Sequence, residues 1–171
     1  MNGDLPTTSG GDLLSVSGTN ANFSPSAADA GSILVDAQTI AIASTEQVFF
    51  DGETGNGTLT VTTPAGATTT SLTSGATIDS GDIQVASLLA MSFENLGTTG
   101  SVVLDDADAV ADDTLVYHGS GSDDSFSVST TGIVSLNSQV NVDVDADVGA
   151  SLSSSPLSAR SARRWRCRRW W

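Results

Sequence analysis

The chain has 171 residues, 20 of them acidic and 6 basic, for a net charge of −14. All six arginines lie in positions 160–169, so residues 1–159 hold no cation and carry a formal charge of −20. That body has nothing with which to displace phosphate counterions, which excludes nucleic acid as a partner. No stretch reaches the roughly 18 apolar residues of a membrane-spanning helix.

The body is rich in Gly, Ser, Thr, Ala, Asp and Val. Asp, Ser, Thr and Gly compete with helix and favour turns, while Val, Ile and Thr favour strands. The composition therefore predicts an all-β fold. Residues 1–20 lack a basic leader and an apolar run, so no signal peptide is expected there, and any export address lies elsewhere or upstream. Period-2 alternation then predicts strands at 13–17, 33–35, 39–43, 47–50, 58–62, 69–72 and a long one at 83–93. Further strands are predicted at 101–104, 114–118, 125–129, 133–136 and 140–148. Gly/Asp/Ser turns separate them at 51–57, 74–81, 97–100 and 119–124. Residues 107–111 read as a loop between Asp pairs, with one helical turn as the alternative.

An internal repeat runs through this pattern. Residues 50–63 read FDGETGNGTLTVTT and residues 117–130 read YHGSGSDDSFSVST, superposing without a gap at a spacing of 67. Phe50 matches Tyr117, Gly52 matches Gly119, and Leu59 and Val61 match Phe126 and Val128. Weaker echoes follow, with Ser71–Leu72 answered by Ser135–Leu136 and 83–85 by 140–142; a partial third copy opens at 10–17. A unit of strand, turn and strand cannot bury its own apolar face, so stacking is expected.

Residues 115–130 (LVYHGSGSDDSFSVST) and 133–137 (IVSLN) resemble the acidic repeats of very large bacterial surface and secreted proteins, of the adhesin-like and hemolysin-type-like kind. The resemblance covers under half of the chain, at 50–63 and 114–148. It implies an extracellular or cell-surface array built as a β-solenoid or as stacked β layers, with a β-sandwich as the alternative. The neighbouring calcium-binding nonapeptide, G-G-x-G-x-D-x-U-x, is matched only in degenerate form. With Phe126 at U, Gly119 and Asp124 fit while Ser120 and Ser122 replace glycines. With Leu59 at U, Gly57 stands where the Asp belongs; with Leu14 at U, Thr7 and Thr8 replace the leading glycines. Tandem nonapeptides are absent, so a standard calcium roll is not expected.

Candidate chemistry is confined to carboxylates. Asp105, Asp106, Asp108, Asp112 and Asp113 place five acids in nine residues, and Asp123 and Asp124 close the second repeat's turn. Both groups are weak calcium candidates, set against the commoner fate of a solvated loop. Asn141, Asp143, Asp145 and Asp147 alternate with valines and read as a solvated strand face. His118 is the only His, no G-x-S-x-G elbow exists, and the Gly runs lack the Lys of a phosphate loop, so no enzyme is expected. No cofactor is expected beyond Ca²⁺ at the Asp groups. The expected partners are a surface ligand or neighbouring repeats.

Residues 151–171 form a separate segment: a Ser-rich spacer, then ARRWRCRRWW at 162–171. Arg/Trp segments seat aromatics at a lipid interface while Arg meets anionic headgroups, so membrane contact depends on this tail being genuine. The alternatives are docking on the acidic body and a shifted reading frame. With CGN arginine codons, a one-base shift turns Trp165–Arg166 into Gly and yields the Gly/Asp/Val idiom of the body. A frameshifted or disordered tail is the leading expectation. The sequence as a whole points to a structural or adhesive surface fragment, with a calcium-responsive module and a membrane-active tail as alternatives.

Overall fold

Strict alternation of apolar and polar residues makes each strand one-sided, and one-sided strands must cover their apolar faces. The computed structural model describes residues 11–153, except 109, 111, 121, 122 and 145–147. It is all-β. In chain order the strands are β1 (Leu13–Ser17), β2 (Ala21–Ala27), β3 (Ala30–Val35), β4 (Gln38–Ala43) and β5 (Gln47–Asp51). Next come β6 (Thr58–Thr63), β7 (Thr69–Ser74), β8 (Gly81–Val85), β9 (Ala90–Glu94) and β10 (Ser101–Asp106). The last are β11 (Asp113–His118), β12 (Phe126–Val128), β13 (Ile133–Leu136), β14 (Asn141–Val144) and β15 (Val148–Ser153).

They form two mixed sheets. The first runs β1-β5-β9-β8-β7-β11-β15, and the second runs β12-β13-β14-β10-β6-β2-β3-β4. Long-range pairs are parallel and hairpin pairs are antiparallel. Parallel neighbours lie 34 to 45 residues apart along the chain: Leu13 sits beside Gln47, and Thr69 beside Thr114. In-register pairing lines up like residues in columns. Ala21, Leu59, Val102 and Val142 form one buried column, and Phe23, Val61, Leu104 and Val144 the next. In the first sheet Val16, Phe50 and Phe93 align, as do Leu14, Val48 and Met91. The buried faces of both sheets feed a single core. Tyr117 of the first sheet meets Phe126 of the second edge-on, with ring centroids 6.0 Å apart.

Three elements differ from the sequence expectation. Strand β2 has no β-branched residue and contains Pro25, so propensity hides it. Its pairing with β6 ends at Phe23, and its register with β3 shifts after Pro25, so the proline sits where no ladder donor is needed. The predicted long strand at 83–93 is two antiparallel strands, β8 and β9. Ala86 turns the chain at φ 48°, and the Leu88 amide donates to the Val85 carbonyl. The predicted strand at 140–148 divides into β14 and β15, which lie in different sheets. Strand β15 also carries the paired backbone three residues past position 150, into the segment read as a spacer.

The two segments matched at a spacing of 67 share one step. Both β5 to β6 and β11 to β12 pass from the first sheet to the second, and Phe50 and Tyr117 are both fully buried just before it. Beyond that step they part: β7 is in the first sheet and β13 in the second.

Candidate metal centre

Parallel pairing of β6 with β10 and of β7 with β11 brings the loop after β6 beside the loop after β10. Five of the seven Asp candidates lie in or beside the second loop. Asp106 ends β10, Asp113 opens β11, and Asp112 precedes it at an exposed position. Their carboxylate oxygens converge, with one atom from each lying within 4.8 Å of the others.

Asp113 is 3% exposed. Its Oδ2 accepts the Thr63 hydroxyl at 2.5 Å and its Oδ1 accepts the Thr68 amide at 2.6 Å. Asp106 Oδ1 accepts the Asp108 amide at 3.0 Å, while its Oδ2 is buried without a partner, as is the Thr68 hydroxyl. The Asp108 bond lowers the Asp106 pKa, but desolvation and repulsion from Asp113, Asp108 and Asp112 outweigh it. They hold Asp106 above the ordinary carboxylate range. Such an arrangement suits a hard cation. Calcium–oxygen bonds of about 2.3–2.6 Å let two oxygens on opposite sides of one ion lie about 4.8 Å apart.

The other candidates go elsewhere. Asp108 Oδ2 accepts the Gly66 amide at 2.7 Å and Oδ1 accepts the Val110 amide at 3.0 Å, so this side chain ties the two loops together. Asp105 meets the Thr62 hydroxyl at 3.4 Å within the β6–β10 ladder. Asp124 Oδ1 accepts the Ser120 amide and hydroxyl, at 3.0 and 2.7 Å, and buttresses its own turn; Asp123 is exposed beside it. Asp143 stands on β14 as read, while 145 and 147 lie outside the described residues. Thr63, Thr68 and Gly66 had no local signal, because parallel pairing brings them in from 42 to 50 residues away.

The Gly/Asp turn at 51–57 is occupied by packing. A Cβ on Gly57 would lie 1.7 Å from the Thr19 carbonyl oxygen, so the turn below leaves room only for glycine. Asp51 accepts the Glu53 amide and the Asn95 side chain, bonds that hold its carboxyl below the ordinary range. On the outer side of the first sheet, His118 Nε2 lies 2.7 Å from the Ser71 hydroxyl. Compared with protein-family models, with curated proteins and with solved structures, the chain matches none.

Proposed function

We propose that this chain is a structural spacer or display segment of a repetitive extracellular surface protein, wound as a β-solenoid. The carrying observation is the set of parallel, in-register strands recurring every 34 to 45 residues in both sheets. Each turn of chain lays new strands on the last, so length grows by repetition while the cross-section stays constant. Outward positions carry Thr60, Asn22, Thr58, Ser101 and Asn141 in ladders, a hydrated surface that suits the acidic resemblance. The half-buried Ser71–His118 pair is read as a hydrogen bond that ties β7 to β11 across the outer face of the first sheet.

Single-molecule pulling tests it. A solenoid peels in successive releases of about 120–150 Å, the extended length of roughly 40 residues. Release of the whole core in one event is the behaviour of a sandwich and would overturn the solenoid.

The convergence of Asp106, Asp112 and Asp113 favours a second reading, a calcium-responsive module whose loop pair tightens on the ion. Melting in calcium and in chelator decides it: a rise abolished by Asp112→Asn supports the module, and identical curves overturn it. The membrane-active reading rests on residues 160–171, which lie outside the described residues.

A further inference from the structure

Among the described residues, four strands have a neighbour on one side only: β1 and β15 in the first sheet, β4 and β12 in the second. An open edge presents unpaired N–H and C=O groups, and proteins that stay apart blunt it with charge or proline. These four edges do neither. LLSVS, QTIAIA, FSV and VGASLS contain no charged residue and no proline, in a body that carries 20 acids. Exposed apolar side chains gather there too. Of the six large hydrophobic residues exposed to solvent among the described residues, Leu13 and Val128 are on edge strands, and Leu34 and Ile133 are on strands next to an edge.

Strand direction supplies the rest. Following the pairings through the first sheet, β15 runs parallel to β1. Following them through the second, β12 runs parallel to β4. The Tyr117–Phe126 contact sets β12 across from β11, the neighbour of β15, so β15 and β12 share one end of the molecule. One end therefore offers two strands that continue, in the same direction, the two strands at the other.

We propose that copies of this chain add head to tail, β15 beside β1 and β12 beside β4, extending both sheets as parallel sheets. The contact is heterologous and does not close, so it generates filaments. At about 4.8 Å per strand, seven strands in the first sheet and eight in the second give a filament repeat of roughly 34–38 Å. This inference rests on stacked sheets with open ends and goes beyond the spacer role. Stepwise pulling can succeed where association fails, so the two readings fail separately.

Sedimentation velocity of the full chain, across concentration at low and high NaCl, tests it. Both ends belong to a body of formal charge −20, so screening strengthens the edge contact, and association should rise with salt. Association driven by the arginine tail on an acidic body does the opposite. Ala41→Asp on β4 and Ser15→Asp on β1 change exposed edge positions, and each should weaken association about tenfold or more. Thr98→Asp, in the exposed turn between β9 and β10, should leave it intact, and circular dichroism should show all three folded. Concentration-independent sedimentation at both salts overturns the proposal. So does association that falls with salt, or that the Thr98 variant loses as readily as the edge variants.

Discussion

Leu59→Ala should destabilise the chain far more than Thr60→Ala, although the two residues are adjacent. Leu59 is fully buried between Ala21 and Val102 in an in-register column. Its removal deletes three carbons, worth about 2.4 kcal/mol at roughly 0.8 kcal/mol each. Strands β2 and β10 are pinned to β6 on either side, so the site collapses poorly and a cavity penalty adds to that, for about 3–4 kcal/mol in all. In a chain of this size that shifts the melting midpoint by roughly 6–15 °C. Thr60 is half-buried on the opposite face, and its truncation should stay within about 0.5 kcal/mol. Thermal and urea melts by circular dichroism give both numbers. Equal effects, or a loss below about 1 kcal/mol at Leu59, would refute the facing of β6 and the column it belongs to.

Tyr117→Phe leaves the Val140 carbonyl without the hydroxyl that reaches it at 3.2 Å, and should lower stability by about 1–3 kcal/mol in urea titrations. Burial also pushes the Tyr117 hydroxyl up, the Ser74 bond opposing it only in part, so phenolate absorbance should appear at higher pH in the folded chain than in urea. Gly57→Ala drives a methyl group into the Thr19 carbonyl, and soluble yield and melting midpoint should fall more than for Gly66→Ala, where a Cβ meets nothing within 4 Å and only the φ of 91° strains an alanine. The Asp51 carboxyl sits below its ordinary value of 3.8, so its stabilisation is present above that pH and lost as pH falls through the lower folded value. The melting gap between the native chain and Asp51→Asn should therefore narrow on acidification below about pH 4. Asp106→Asn relieves repulsion from Asp112 and Asp113, so in chelator at neutral pH it should melt above the unaltered chain.

Alternation made most strands legible, because residues such as Leu59, Val61, Val102 and Leu104 announce their face by type alone. Strand β2 was not legible: Ala21, Phe23 and Pro25 alternate inward, but Phe23 alone has strand propensity, and the core demands the strand regardless. The run at 83–93 is broken only by Gln84, Ser87 and Ser92, with no Gly, Pro, Asn or Asp to mark Ala86 as a turn. Pairing partners were hidden too. The match at a spacing of 67 captured the shared step between sheets at Phe50 and Tyr117, while the parallel neighbours of Phe50 are Val16 and Phe93. At the acidic loop, the crowding of Asp106, Asp112 and Asp113 followed from their nearness in sequence. Which atoms are satisfied there depends on Thr63 and Thr68, and only the fold brings those in.

The parallel register carries the whole account, and a disulfide reads it directly. Thr60 and Val103 are outward partners on β6 and β10. Parallel neighbours lie about 4.8 Å apart, inside the range a disulfide spans. With Cys167 changed to Ser, a chain carrying Thr60→Cys and Val103→Cys should oxidise fully under mild conditions while staying folded. A chain carrying Thr60→Cys and Thr98→Cys should not. Failure of the first pair, or equal oxidation of both, would contradict the stacking of β6 on β10 and with it the solenoid spacer.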